Sequence, residues 1–115
     1  MDKQAKQKLF DDIVAFLKSN GATKVAVFGS YVRDEETPSS DIDVIIDFQK
    51  PMGLLEFVGI QQDLSEKIGI NVDLLTEEGI SPYLIKNIRN EMKILYGWKK
   101  TIYYIFSILG IVLIR

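Results

Sequence analysis

GSYVRDEETPSSDID, residues 29–43, lies between two short apolar runs. It follows KVAVF at residues 24–28, and its last aspartate opens DVIIDF at residues 43–48. Gly-Ser directly after an apolar run is typical of a strand that turns tightly into a helix. The backbone N–H groups of such a turn suit a phosphate group. This stretch therefore predicts two strands joined through a phosphate-binding turn.

The second strand carries two acids, Asp41 and Asp43, separated by Ile42. Because side chains alternate along a strand, both carboxylates point to one face, about 6.6 Å apart. Two acids at this spacing can share a divalent metal ion. A phosphate-binding turn beside a metal-binding acid pair is what transfer from a nucleoside triphosphate requires.

A third acid, Asp73, lies in the predicted strand NVDLL at residues 71–75 and faces away from Val72 and Leu74. Neighbouring strands lie about 4.8 Å apart, so Asp73 can complete a three-acid cluster with the other two. Without a cation the three carboxylates would repel one another and raise each other's pKa. We therefore expect two Mg²⁺ ions, bridged by Asp41 and Asp43. Asp73 would hold the ion nearer the acceptor and take the acceptor's proton.

The composition narrows the chemistry further. The chain has 115 residues, 47% apolar and 26% charged, which fits one ordered domain. It has neither cysteine nor histidine, which excludes disulfides, Ser-His or Cys-His catalysis and zinc sites of the usual composition. Carboxylates with hard, oxygen-binding metals remain. The net charge of −2 gives no electrostatic indication of nucleic-acid binding.

Apolar periodicity and turn residues predict an α+β fold, a small mixed β-sheet backed by helices. A short helix is also expected just after the Gly-Ser turn, within residues 31–35. The predicted strands are 24–28, 41–48 and 71–75, and the longer helices are 3–19, 54–68 and 82–96. We assign residues 1–97 to this domain and residues 98–115 to a C-terminal tail.

The tail contains TIYYIFSILGIVLI at residues 101–114. Fourteen residues are short for a membrane-spanning helix, so we expect no span. Richness in Ile, Tyr, Phe and Val favours a strand or a packed segment, for example at a subunit interface of an oligomer. Interfacial membrane attachment stays open because Lys99, Lys100 and Arg115 flank the run. The start, MDKQAKQKLFDD, lacks the apolar stretch of a signal peptide, which predicts a cytoplasmic location.

Gly-Ser, ten residues, Asp-x-Asp and a lone aspartate on a third strand together resemble the minimal nucleotidyltransferases of the DNA polymerase β superfamily. More narrowly, the pattern resembles the MNT-type antitoxins encoded beside HEPN-domain toxins. The resemblance extends from about residue 5 to residue 96 and implies the nucleotidyltransferase fold. It implies that Gly29 and Ser30 hold the β- and γ-phosphates of ATP. It also implies that Asp41 and Asp43 bind Mg²⁺ and that Asp73 completes the site.

Arg33 stands where this family often has arginine, within a GSXARG-like context, and we include it among the nucleotide-binding residues. The chain departs from that context on both sides of the arginine. Val32 replaces a small residue, and Asp34 replaces glycine.

The resemblance implies an enzyme that transfers AMP from ATP to a tyrosine hydroxyl of a cognate HEPN toxin and so acts as its antitoxin. Two alternatives stay open. One is an antitoxin that blocks its toxin sterically without catalysis. The other is nucleotidyl transfer to a small hydroxylated molecule, as in aminoglycoside-modifying relatives. The chain's own Tyr103 and Tyr104 are competing acceptors.

Overall fold

The computed structural model describes residues 1–97. The predictions made for residues 98–115, including Tyr103 and Tyr104 as acceptors, fall outside the described residues. Within residues 1–97, no helix has both the length and the hydropathy needed to cross a bilayer.

Helices and strands alternate along the chain, as the periodicity predicts. Within residues 1–97, a 3₁₀ turn at Glu77–Gly79 precedes the last of these helices. The elements in chain order are α1 (Lys3–Ser19), β1 (Ala22–Phe28), α2 (Ser30–Arg33), β2 (Ile42–Phe48), α3 (Leu54–Ile68), β3 (Val72–Leu75), α4 (Pro82–Glu91) and β4 (Lys93–Tyr96).

The four strands form one mixed sheet in the order β3-β2-β1-β4. β1 pairs antiparallel with both β2 and β4, whereas β2 and β3 are parallel. A parallel pair needs a crossover, which α3 supplies. The α+β fold with a mixed sheet is therefore confirmed.

One face of the sheet carries the main core. α1 and α3 pack on this face, and the alternating residues of β1, β2 and β3 meet them there. The most completely buried large side chains of this face are those of Ile13, Leu17, Val25, Val27, Ile42, Val44, Ile46, Leu64 and Val72. Burying a side chain of this size contributes about 1.5–3 kcal/mol, so this face holds the sheet together.

The opposite face, which we call the open face, has a much smaller core. Ala26 and Ile45 are its buried residues, and Ile88 and Met92 from the end of α4 pack against them. Asp43 and Asp73 lie on this face because they alternate with residues of the main core. Thus α4 partly covers the same side of the sheet as the acids.

The last predicted helix is corrected by the structure. It ends at Glu91 rather than at residue 96, and residues 93–96 form β4. Met92 is already extended, with φ −62° and ψ 145°. The open edge of β1 explains the change, because β4 pairs with β1 and satisfies backbone groups that would otherwise be unpaired.

β3 lies at the other edge of the sheet, and side chains of α3 satisfy its outward N–H groups. The Val72 amide donates to Ser65 Oγ at 2.9 Å, and the Leu74 amide donates to Gln61 Oε1 at 2.9 Å. These two bonds flank Asp73 in sequence. They therefore fix the segment that presents this acid.

We predict that Gln61→Ala lowers the free energy of unfolding by about 1 kcal/mol relative to Gln62→Ala, because only Gln61 bonds the edge strand. Both substitutions exchange glutamine for alanine at adjacent positions of α3, so helix propensity cancels in the comparison. Urea unfolding followed by circular dichroism measures the difference. Equal stabilities would show that the bond to β3 contributes nothing.

Candidate active site

The site is built around the turn that follows β1. Gly29 has φ +83° and ψ −156°, which side chains with a Cβ rarely adopt. A Cβ at this position would lie 2.6 Å from Asp43 Oδ2. Glycine is thus required both by the backbone angles and by the closeness of Asp43.

Strand pairing explains why the turn meets this acid. Phe28, the last residue of β1, pairs with Asp43 on β2, and Asp43 pairs in turn with Asp73 on β3. The turn and two of the three predicted acids therefore lie in one row across three strands. Asp41 is exposed and immediately precedes β2.

The surroundings of Asp43 in this row disfavour its ionised form. Burial of the half-buried carboxyl group raises the pKa of Asp43 above its usual value. The negative charges of Asp73 and then Asp41 raise the pKa further. The positive charge of Arg33 opposes these effects without cancelling them. An additional positive charge would therefore be accommodated beside Asp43.

The acids fit Mg²⁺ by their chemistry, since carboxylate oxygens are the ligands that hard cations prefer. However, no group of three or more acidic side chains within residues 1–97 is arranged to hold a metal ion. Repulsion between like charges favours separated carboxylates in the absence of a cation. The metal role of Asp41, Asp43 and Asp73 stays a prediction.

The segment after Gly29 forms a short helix, as predicted. Ser30 begins α2, and the amides of Val32 and Arg33 donate to the Gly29 carbonyl at 3.0 and 3.3 Å. Asp34, which replaces the glycine of the GSXARG-like context, ends α2 in the left-handed conformation with φ +57°. An aspartate tolerates this conformation better than most residues. Aspartate is therefore compatible with the left-handed end of α2.

Lys6 of α1 ties this segment to the core side of the molecule. Its Nζ donates to the Tyr31 carbonyl at 3.1 Å and to Glu36 at 2.6 Å, and it also pairs with Asp34. Burial opposes the charge of Lys6, but the bonds to the two carboxylates outweigh it and raise the lysine pKa. Lys6 was not singled out in the sequence, because its partners are about 30 residues away.

Arg33 lies beside the turn and pairs with two acids. Its Nε donates to Glu35 at 2.7 Å, and its Nη1 donates to Glu91 Oε1 at 2.6 Å. The same Glu91 oxygen accepts the Gly29 amide at 2.7 Å. Glu91 thus joins the site from the end of α4. The sequence did not indicate it, because the predicted helix continued past this position.

This chain is similar to several known proteins in sequence and in fold. A profile of the nucleotidyltransferase domain family matches residues 9–95. Protein MJ1217 of Methanocaldococcus jannaschii, by name a candidate protein adenylyltransferase, is 42% identical over 69 residues, covering 59% of this chain and 70% of MJ1217. Protein adenylyltransferase MntA of Thermococcus cleftensis is 33% identical over 72 residues, covering 63% of this chain and 73% of MntA.

Solved structures share the fold. A chain of a toxin–antitoxin structure with AMP-PNP matches with a TM-score of 0.72 and 21% identity, covering 88% of this chain and 85% of that one. A chain of a structure of the tri-AMPylated HEPN toxin of Shewanella oneidensis in complex with MNT antitoxin matches with a TM-score of 0.69 and 19% identity, covering 91% of this chain and 84% of that one. The matched residues 9–95 include every residue predicted for the site, and the chain therefore belongs to the nucleotidyltransferase domain family.

Proposed function

We propose that this chain is a protein adenylyltransferase that transfers AMP from ATP to a tyrosine hydroxyl of a HEPN-type toxin and acts as its antitoxin. The main support is the closeness of the Gly29 turn to Asp43, because a turn of the kind that suits phosphate then lies against an acid paired with Asp73. The relative MntA and the AMPylated toxin complex support the protein acceptor.

Gly29, Ser30 and Arg33 are assigned to the nucleotide. The Gly29 and Ser30 amides and the Ser30 hydroxyl would bond phosphate oxygens, and the Arg33 guanidinium would neutralise part of their charge. These residues orient the α-phosphorus toward the acceptor. Positioning of this kind supplies much of the catalysis in phosphoryl-type transfer.

Asp41, Asp43 and Asp73 are assigned to Mg²⁺. The bound cation would offset phosphate charge and lower the pKa of the acceptor hydroxyl. We assign Asp73 to take the proton of the acceptor. The acceptor oxygen then bonds to the α-phosphorus, pyrophosphate leaves, and AMP remains on the acceptor. Tyrosine suits this role because its pKa near 10 makes it far easier to deprotonate than serine.

The position of the site on the sheet favours an acceptor presented by another protein. Asp41 is exposed, and α4 covers the open face only partly, through Ile88 and Met92. An acceptor on a protein surface can therefore approach from the side of Asp41.

We predict that Asp43→Asn lowers the transfer rate by at least about a hundredfold, because an amide is a poor Mg²⁺ ligand. Asp47→Asn is the matched control, since Asp47 lies on the same strand but is exposed at its far end. Transfer of labelled AMP from ATP is the measurement. Full activity of Asp43→Asn would exclude Asp43 from the site.

The same variant should fold at least as stably as the parent at neutral pH. The folded pKa of Asp43 is raised, so its ionised form disfavours the folded state above that pKa. This cost disappears as the pH falls through the raised pKa, and asparagine removes it at every pH. Thermal unfolding of the two proteins from about pH 3 to about pH 8, a range that includes the ordinary aspartate pKa near 3.9, checks the sign.

For the turn, we predict that Gly29→Val costs more activity than Ser30→Ala. Loss of the Ser30 hydroxyl should weaken triphosphate binding by about 1–2 kcal/mol. Valine at position 29 meets both a disfavoured φ and Asp43. Steady-state kinetics with ATP, together with thermal unfolding to confirm folding, gives the order. The reverse order would make Gly29 a structural turn only.

The acceptor is tested by intact-mass spectrometry after incubation with ATP, Mg²⁺ and a HEPN-type protein. We expect a gain of one or more AMP units on that protein, at a tyrosine. A gain only on this chain would support self-modification, at Tyr103 or Tyr104 for example. Tight complex formation without any gain would support the steric antitoxin.

A further inference from the structure

Glu91 already binds two of the groups assigned to the nucleotide phosphates. Its Oε1 accepts the Gly29 amide at 2.7 Å and Arg33 Nη1 at 2.6 Å. One carboxylate oxygen between a backbone N–H and a guanidinium has the same hydrogen-bonding environment that a phosphate oxygen would have at this turn. The Gly29 amide has a single hydrogen, so a phosphate and Glu91 compete for it.

The negative charge of the site also disfavours simultaneous binding of Glu91 and a phosphate at the turn. Glu91 adds a fourth carboxylate to the surroundings of Asp41, Asp43 and Asp73, and its charge reaches Asp43. A triphosphate brings further negative charge to the same place. The Gly29 turn cannot hold both carboxylate and phosphate without strong repulsion.

Glu91 can leave the turn without a change of fold. It is the last residue of α4, which Ile88 and Met92 anchor on the sheet. The side chains of Arg33 and Glu91 are 47% and 31% exposed, so water can replace each partner at modest cost. Rotation of the Glu91 side chain alone would uncover the Gly29 amide.

We propose that Glu91 is an internal substitute for phosphate, which occupies the Gly29 amide and Arg33 until a nucleoside triphosphate displaces it. Glu91 thereby sets the affinity for the nucleotide and keeps the turn in its binding conformation between turnovers. The inference rests on the proposed function, because it takes the turn to be the phosphate site.

The test compares Glu91→Ala and Glu91→Gln with Glu35→Gln. Glu35 is the matched control because it pairs with the same Arg33 but does not accept the Gly29 amide. Calorimetric titration with ATP, and with inorganic tripolyphosphate as a probe of the phosphates alone, is run with Mg²⁺ and again with EDTA. We expect both Glu91 variants to bind ATP and tripolyphosphate about fivefold to tenfold more tightly than the parent. Glu35→Gln should change these affinities by less than about twofold.

A second readout is the Gly29 amide in ¹⁵N-resolved NMR spectra. Its proton should shift upfield in Glu91→Ala, where the carboxylate acceptor is gone, and stay in place in Glu35→Gln. Glu91→Gln, which keeps the size of the side chain, covers the case in which alanine destabilises α4. If the parent binds ATP and the folded Glu91 variants bind it equally or more weakly, the inference about Glu91 is overturned and the proposed function is not affected. Failure of the parent and all variants to bind ATP would overturn the proposed function as well.

Discussion

The contact between the Gly29 backbone and the Asp43 carboxylate is the constraint on which the site depends. A Cβ at residue 29 would lie 2.6 Å from Asp43 Oδ2, so the turn and the acid can be neighbours only because residue 29 is glycine. The antiparallel register of β1 and β2 produces this closeness by pairing Phe28 with Asp43. The parallel register of β2 and β3 then adds Asp73 to the same row. The sheet therefore packs α1 and α3 on one face and carries the candidate site on the other.

Several contacts hold this row in place from outside it. Lys6 fastens the segment after α2, where Asp34 takes a left-handed conformation normally given to glycine. The α3 side chains Gln61 and Ser65 fix β3 on either side of Asp73. Each is a polar contact from a helix of the core face to a segment next to the site. The same two helices, α1 and α3, thus pack the core and position the segments next to the site.

The sequence was sufficient to predict the features that depend on local periodicity, such as the face of the sheet on which a side chain lies. Alternation placed Asp43 and Asp73 on the face opposite Val72 and Leu74, and the structure agrees. It was insufficient at the end of α4, because Ile88, Met92 and Leu95 continue a helical spacing that tertiary pairing overrides. Glu91 was missed for the same reason, since its role depends on where the helix ends and on a partner 62 residues away. Spacing predicts a metal site at the three acids, whereas no group of three or more acidic side chains within residues 1–97 is arranged to hold a metal ion. A spacing pattern carries no information on the repulsion between carboxylates.

We propose that the Gly29 turn binds phosphate while the acids beside it bind the metal. A crystal structure of the chain with a non-hydrolysable ATP analogue and Mn²⁺ is the decisive measurement, because anomalous scattering locates the manganese independently of the nucleotide. We expect phosphate oxygens on the Gly29 and Ser30 amides, manganese between Asp41 and Asp43, and Glu91 turned away from the turn. Nucleotide or manganese bound elsewhere, with Glu91 still on the Gly29 amide, would refute this arrangement.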